Sequence, residues 1–256
     1  MSEGNSLKGR VGVITGAAGG IGRAVAHMLH AAGAQVILTD LDQTLANTIA
    51  SELGDRAQAM MLNVADEQDW KRVLASVVAD HEKLDFLVNV AGFYQPNIPF
   101  EDMPLDVWQR HFSVNSDGTF LGCKHAIRYM KQTGEGAIVN LGSGMSIKAN
   151  PIGAAYCASK ASVLMTTRCA AAAAGPYGVR VNAVLPGAVD TPMLRGNITD
   201  DTSPEAYAQQ MASYSALGRI ATPDDIARAV MFLVDPANAA ITGIYIDVDG
   251  GNLVGA

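Results

Sequence analysis

The stretch that decides the fold is VGVITGAAGGIG, Val11 to Gly22. Its first part, Val11 to Thr15, is a short apolar run of the kind found in strands buried on both faces. Glycines follow at 16, 20 and 22, and from Arg23 to Ala32 the apolar residues Val25, Ala26 and Leu29 fall at helical spacing. A strand that turns through glycines into a helix offers unpaired N–H groups and a positive dipole end, where a pyrophosphate can sit. The spacing is Gly-x-x-x-Gly-x-Gly, not the more familiar Gly-x-Gly-x-x-Gly. The same glycines would also serve an ordinary tight turn, so the rest of the chain has to decide between the two.

Outward from this loop, strands and helices alternate. Gln35–Asp40 (QVILTD) reads as a strand and Leu41–Leu53 as a helix. AQAMMLNV, Ala57–Val64, is a third strand, and a third helix runs from its N-cap Asp66 to about His81. LDFLVNVAG, Leu84–Gly92, is the fourth strand. One long helix is expected over about Leu105–Lys131, then a strand at Gly136–Ser143. Ala155–Ala174 is a helix of small residues stopped by Gly175 and Pro176. VRVNAVLPG, Val179–Gly187, is a strand, and 188–203 is loop-like. Helices at Pro204–Ser213 and Pro223–Val234 and a last strand at Gly243–Gly251 complete the chain. The βαβ repetition predicts an α/β fold: one Rossmann-type, doubly wound domain over residues 1–256. It would have seven mainly parallel strands with helices on both faces. Residues 1–8 are expected to be a polar tail and 188–215 a substrate-loop region.

Composition narrows the function. Of 256 residues 49% are hydrophobic and 17% charged, which suits a large core. The net charge of −7 and a pI near 5.1 argue against a nucleic-acid partner. No apolar run of membrane-spanning length and no leader-like N-terminus is visible, so a cytoplasmic location without a membrane partner is expected. Cys123, Cys157 and Cys169 lack metal-ligand spacing and are expected to be buried thiols. His81, His111 and His125 read as ordinary helix residues, and no metal site is expected.

Asp40 ends the second strand 18 residues beyond Gly22. A carboxylate there can accept hydrogen bonds from both adenosine ribose hydroxyls and would repel a 2′-phosphate. No Lys or Arg stands at Ala17, Ala18, Gly19, Leu41 or Asp42 to hold such a phosphate. NAD(H) is therefore expected in preference to NADP(H).

With TGAAGGIG (Thr15–Gly22), NVAG (Asn89–Gly92), VNSDG around Asn115, NLGSG around Ser143, YCASK (Tyr156–Lys160) and PGAVDT (Pro186–Thr191) in this order, the chain resembles the short-chain dehydrogenase/reductase family. The resemblance spans about Gly9 to Gly251. Ser143 lies 13 residues before Tyr156. Two positions depart from the family pattern: Val90 where a second Asn is usual, and Asn63-Val64 in place of Asp-Val.

The resemblance implies an oxidoreductase that moves a hydride between a secondary alcohol or ketone and a nicotinamide cofactor (EC 1.1.1.-). It assigns catalysis to Asn115, Ser143, Tyr156 and Lys160. Tyr156 would be the acid/base. Lys160, four residues later and on the same helix face, would lower the Tyr156 pKa and hold the nicotinamide ribose. Ser143 would donate to the substrate oxygen, and Asn115 would hold a water linking Lys160 to solvent. Mid-helix Asn is unfavourable by propensity, which itself points to a role for Asn115. Cofactor contacts are implied at Gly16, Gly20, Ile21, Gly22, Asp40, Leu41, Asn63, Val64, Asn89, Ala91, Gly92, Tyr156, Lys160, Pro186, Gly187, Val189 and Thr191. The last four belong to a loop that would bind the nicotinamide carboxamide.

The expected pocket wall, Phe93, Tyr94, Gln95, Gly144, Met145, Ile152, Ala188, Met193 and Leu194, is mostly apolar and favours a hydrophobic or cyclic substrate. Arg195 reads as a solvated loop residue, although it could meet a carboxylate. A 3-oxoacyl-thioester (acyl-carrier-protein) reductase is the alternative, with little basic surface to support it at Arg128 and Lys131 and with Glu135 opposing it. A non-catalytic dinucleotide sensor is the alternative of another class. The small residues of CAAAAAG (Cys169–Gly175) and the family's use of this helix imply a homotetramer, or at least a dimer.

Overall fold

Val11 and Val13 face one apolar core while Ile14 between them and Thr15 faces the other, and Ile37 is likewise flanked by Val36 and Leu38 across the sheet. Side chains alternate across a strand, so a strand buried on both faces reads as the continuous apolar run seen in the sequence. The computed structural model describes residues 6–95, 97–196, 198 and 202–252. The first part of the expected polar tail, residues 1–5, lies outside these, as do residues 197 and 199–201 of the expected substrate-loop region.

Seven strands form one sheet: β1 (Val11–Thr15), β2 (Gln35–Asp40), β3 (Ala57–Met61), β4 (Phe86–Asn89), β5 (Gly136–Leu141), β6 (Val179–Pro186) and β7 (Tyr245–Val248). Their order is β3-β2-β1-β4-β5-β6-β7, and every neighbouring pair is parallel. The winding reverses between β1 and β4, which opens a crevice at the carboxyl ends of the strands. Helices α1 (Gly20–Ala31), α2 (Gln43–Leu53), α3 (Glu67–His81), α4 (Leu105–His111), α5 (Gly118–Thr133), α6 (Ala154–Ala174), α7 (Pro192–Arg195), α8 (Pro204–Ser213) and α9 (Pro223–Val234) follow in chain order. Val25 and Leu29 of α1 and Ile226 and Val230 of α9 pack on one face of the sheet. Trp70 and Val73 of α3, Leu121 and Met130 of α5 and Ala171 of α6 pack on the other.

Several boundaries differ from the sequence reading, for local reasons. β4 stops at Asn89 because the next two N–H groups, of Val90 and Ala91, donate to the Thr15 hydroxyl oxygen at 3.0 and 3.1 Å instead of to a neighbouring strand. β3 stops at Met61, and the Asn63 N–H donates to Asp69 at 2.9 Å. α1 begins three residues early, at Gly20, and α2 begins at Gln43 with Asp42 as its N-cap. Asp66 caps α3 as expected. The loop-like stretch after β6 contains α7, capped by the Thr191 side chain. The long helix is not uniform: α4 and α5 are joined by a π-helical segment, Phe112–Asp117, in which the Gly118 N–H donates to the Ser113 carbonyl. Such widened turns arise inside helices and concentrate at functional sites.

Cys123 is buried, Cys157 is half-buried and Cys169 is exposed, which corrects the expectation of three buried thiols. No described helix is long and apolar enough to cross a membrane.

Trp70 is fully buried and its Nε1–H donates to the Val64 carbonyl at 2.9 Å. Trp70→Ala is expected to lower unfolding stability by about 3–5 kcal/mol in urea denaturation. A loss below about 1 kcal/mol would contradict this packing, since a surface substitution costs less than that.

Candidate active site

The exits of β1, β4, β5 and β6 supply the residues that surround the crevice. At the exit of β1, Gly16 has φ +62° and a Cβ there would lie 2.8 Å from the Ala91 Cα. A Cβ on Gly22 would overlap the Gly16 carbonyl oxygen. The N-cap of α1 is Gly19, which makes no side-chain cap bond, so no side chain covers the first-turn N–H groups of the helix. Asp40 closes the far side: Oδ2 accepts from the Ala18 N–H at 3.0 Å and Oδ1 from the Asp42 N–H at 3.1 Å. Leu41 is exposed beside it. An open helix start, a loop stripped of Cβ atoms and an acid at the end of β2 fit a nicotinamide dinucleotide.

Other expected cofactor contacts lie differently. The Asn63 Oδ1 accepts from the Ala65 N–H at 3.1 Å within its own turn, and Val64 is buried. The Asn89 side chain points away from the crevice: its Nδ2 donates to Asn140 Oδ1 at 2.8 Å beneath the sheet, and its buried Oδ1 has no partner. Only its backbone borders the crevice. Beyond β6 the loop is anchored by the Asp190 N–H donating to Ala221 and the Ala221 N–H donating to Ala188, at 3.0 and 2.9 Å. This places buried Val189 and Thr191 beside the glycine loop, where a Cβ on Gly20 would lie 3.0 Å from Thr191 Cγ2. Arg195 forms an exposed ion pair with Asp190 at 2.8 Å.

Ser143, Tyr156, Lys160 and Asn115 lie near one another at the exits of β4 and β5. Ser143 lies past the end of β5 and caps a short 3-10 turn, Gly144–Ser146, its hydroxyl accepting from the Met145 N–H at 3.1 Å. The Ser146 hydroxyl donates to the Lys160 carbonyl at 2.9 Å, which ties this turn to α6. The Lys160 Nζ donates to the Leu141 carbonyl at 2.7 Å and lies 5.9 Å from the centre of the Tyr156 ring. Asn115 sits in the π-helical segment, fully buried. Its Oδ1 accepts from the Phe93 N–H at 2.7 Å, and its Nδ2 donates to the Phe93 carbonyl at 2.9 Å and to Ser159 Oγ at 3.0 Å. A Cβ on Gly92 would lie 3.4 Å from both Asn115 Oδ1 and Lys160 Nζ, so glycine keeps this junction open.

The charges follow from burial. The Tyr156 phenol is pushed up to about 12 by desolvation, with the Ser143 hydroxyl acting in the opposite direction. Lys160 is pulled down to about 8 by desolvation. In the protein alone, desolvation sets the direction of the Tyr156 shift, and the Lys160 ammonium is directed at Leu141.

Of the expected pocket wall, Tyr94 has its ring centre 4.6 Å from that of Tyr156. Phe93 makes a tilted ring contact with His111 at 4.8 Å, and Met145 shares the short turn capped by Ser143. Ile152 and Met193 are exposed, as is Gln95. His111 was read as an ordinary helix residue, yet it is fully buried and its ring lies 6.3 Å from that of Tyr156. The signal that could have found it is its place four residues before Asn115. His125 is also buried, against Glu67 at 3.0 Å. A cavity of about 490 Å³ beyond β7, lined by Arg219, Asp225, Asp247 and Asp249 among others, contains none of the residues around Tyr156. No group of three or more His, Cys, Asp or Glu among the described residues is placed to hold a metal.

The chain as a whole is similar to known proteins. The family described as enoyl-(acyl carrier protein) reductase matches residues 16–252. The chain is 36% identical to cis-4-hydroxycyclohexanecarboxylate dehydrogenase of Sinomonas cyclohexanicum, over 97% of this chain and 98% of that protein. It is 41% identical to 2-(S)-hydroxypropyl-CoM dehydrogenase 3 of Xanthobacter autotrophicus, over 96% and 98%. The crystal structure of gox2181 superposes with a TM-score of 0.91 at 33% identity, covering 97% of each chain.

The two desolvated groups give opposite pH signatures. The folded Lys160 pKa, about 8, lies below the unfolded value, so the unfolded chain holds more protons above pH 8 and stability rises with pH up to about 10.4. The folded Tyr156 pKa, about 12, lies above the unfolded one, so its contribution falls from about pH 10 upward. Urea denaturation from pH 8 to 10 is expected to show a steeper rise for the parent protein than for Lys160→Met. Parallel curves would contradict a buried, easily deprotonated Lys160.

Proposed function

This chain belongs to the short-chain dehydrogenase/reductase family, and from that premise we propose an NAD(H)-preferring enzyme with Tyr156 as acid/base and a hydrophobic, cyclic secondary alcohol as substrate. Membership makes it an oxidoreductase acting on CH–OH groups, interconverting alcohol and ketone. The single observation that carries the residue assignment is the convergence of Ser143, Tyr156, Lys160 and Asn115 from three separate elements onto one end of the crevice.

A bound nicotinamide dinucleotide supplies the hydride acceptor or donor. Gly16, Gly20, Ile21 and Gly22 leave room for its pyrophosphate at the start of α1, Asp40 takes the adenosine ribose hydroxyls, and Val189 and Thr191 border the nicotinamide end. In ketone reduction the protonated Tyr156 donates its phenolic proton to the substrate oxygen. The Ser143 hydroxyl donates a hydrogen bond to the same oxygen and stabilises the charge that develops there. In alcohol oxidation Tyr156 must first be a phenolate, and the Lys160 ammonium is the cation in place to favour it. Asn115 holds Phe93 and Ser159, and through them the relative positions of the β4 exit and α6.

The ring-shaped substrate is supported by the apolar and aromatic wall beside Tyr156 and by the cis-4-hydroxycyclohexanecarboxylate ring named for the relative from Sinomonas cyclohexanicum. NAD preference is supported by Asp40 and by the absence of Lys or Arg beside it in the sequence. A homotetramer is supported by Phe120, Met165 and Tyr177, large apolar side chains left exposed on and just after α5 and α6. A cytoplasmic location is consistent with these readings.

The deciding experiment is an absorbance screen at the NADH band with cyclohexanols, cyclic diols, hydroxysteroids, 2-propanol and 3-oxoacyl thioesters. Cyclic alcohols are expected to turn over best; turnover of thioesters alone would overturn the substrate class. Tyr156→Phe is expected to lower kcat by about 10²–10⁴-fold while NADH fluorescence titration is unchanged. Retained turnover would remove Tyr156 from the acid/base role. NAD is expected to exceed NADP in kcat/KM by about a hundredfold, and Asp40→Ser to narrow that gap, because a carboxylate facing a 2′-phosphate costs several kcal/mol. A preference for NADP would overturn the reading of Asp40.

A further inference from the structure

The segment after β4 is pinned to the neighbouring helix at two points one residue apart. Asn115 pairs with both backbone groups of Phe93. One helical turn earlier, at the end of α4, His111 Nε2 accepts from the Gln95 N–H at 3.1 Å, and Nδ1 lies 2.8 Å from the Val107 carbonyl. A backbone N–H only donates and a carbonyl only accepts. The two partners together therefore allow one form of the ring, uncharged, with hydrogen on Nδ1 and a lone pair on Nε2. An imidazolium would set two donors against each other at Gln95.

The surroundings favour the same form. The ring is fully buried, and burial lowers its pKa against the opposing pull of the Val107 carbonyl, with the nearby Arg110 also lowering it. The Arg110 guanidinium lies 4.2 Å from the centre of the Phe93 ring, which meets His111 in a tilted contact, so a cation already stands beside this pair. Tyr94 stands between the two pinned residues. Its own phenol is desolvated, with Tyr207 of α8 and Cys157 of α6 close by, and its ring lies against Tyr156.

We propose that His111 is a positioning residue: as a hydrogen-bond acceptor it fixes the Gln95 backbone and so holds the Tyr94 ring against Tyr156, forming one wall of the space that the substrate alcohol enters. This rests on the reading of Tyr156 as the acid/base. A side chain of similar size could fill the volume under Phe93. Only an acceptor at the Nε2 position satisfies the inward-turned Gln95 N–H, and a donor left without a partner is costly.

Two variants separate those roles. His111→Phe keeps a ring under Phe93 and removes the acceptor; His111→Gln loses the ring and can present an amide oxygen near the Nε2 position. Hydrogen exchange across residues 93–95, NADH fluorescence titration and steady-state oxidation of cyclohexanol with NAD are measured for both. His111→Phe is expected to speed exchange at Gln95 and raise the cyclohexanol KM, each about tenfold, with kcat and NADH affinity within about twofold. His111→Gln is expected to restore most of both. Unchanged exchange and KM in His111→Phe would overturn the proposal. So would an equal loss of kcat, KM and NADH affinity that His111→Gln does not rescue, since that describes general loosening.

Should His111→Phe fail to fold, long-range ¹H–¹⁵N NMR of the parent chain decides the matter. An Nδ1–H ring at pH 7 supports the proposal, and an Nε2–H ring or an imidazolium overturns it. Exchange and ring tautomer do not depend on turnover, so a failure of the Tyr156 assignment would show in Tyr156→Phe and leave these readouts intact.

Discussion

The parallel pairing of β1 with β4, from Gly12 against Phe86 to Thr15 against Asn89, is the contact on which the arrangement of the crevice depends. It sets the exit of the glycine loop beside the exit of Val90–Gly92. The Thr15 hydroxyl then holds the backbone of Val90 and Ala91, and Gly16 has room for Ala91 only because it lacks a Cβ. Everything that approaches Tyr156 from this side, Phe93 and Tyr94 included, hangs from that junction. Because the sheet reverses its winding here, the helices that follow β1 and β4 pass to opposite faces and leave the crevice uncovered.

On the other side of the crevice the constraint is burial of charge. Lys160 is almost wholly buried, and the hydrogen bond from its ammonium to the Leu141 carbonyl fixes it at the end of β5. A lysine so placed is readily discharged, and a tyrosine so placed resists ionisation.

Much of this was legible in the sequence. The alternation of strands and helices, the parallel sheet and the grouping of Ser143, Tyr156 and Lys160 follow from periodicity and from motifs in a fixed order. What escaped has physical reasons. The π-helical turn at Asn115 uses the same residue types as an α-helix and differs only in which carbonyl each N–H reaches. Asn89 lies in a recognisable motif, yet its side chain turns beneath the sheet to Asn140, and periodicity says nothing about which polar group finds a buried partner. Exposure of Cys169 depends on which face of α6 meets the sheet, and a helix of small residues has too weak an apolar stripe to announce it. His111 looked ordinary because its partner, the Gln95 backbone, is invisible to any reading of side-chain types.

The central strand pair also has a history in time. β4 lies 74 residues downstream of the strand it joins, and β2 and β3 are made first. During synthesis β1 therefore emerges with one edge taken by β2 and the other open until Phe86 clears the ribosome. Contacts of such long sequence separation form late and slow the folding of parallel sheets. The nascent chain thus exposes an unpaired apolar edge for the interval in which more than sixty residues are added, and chaperone engagement of the N-terminal half is the natural consequence.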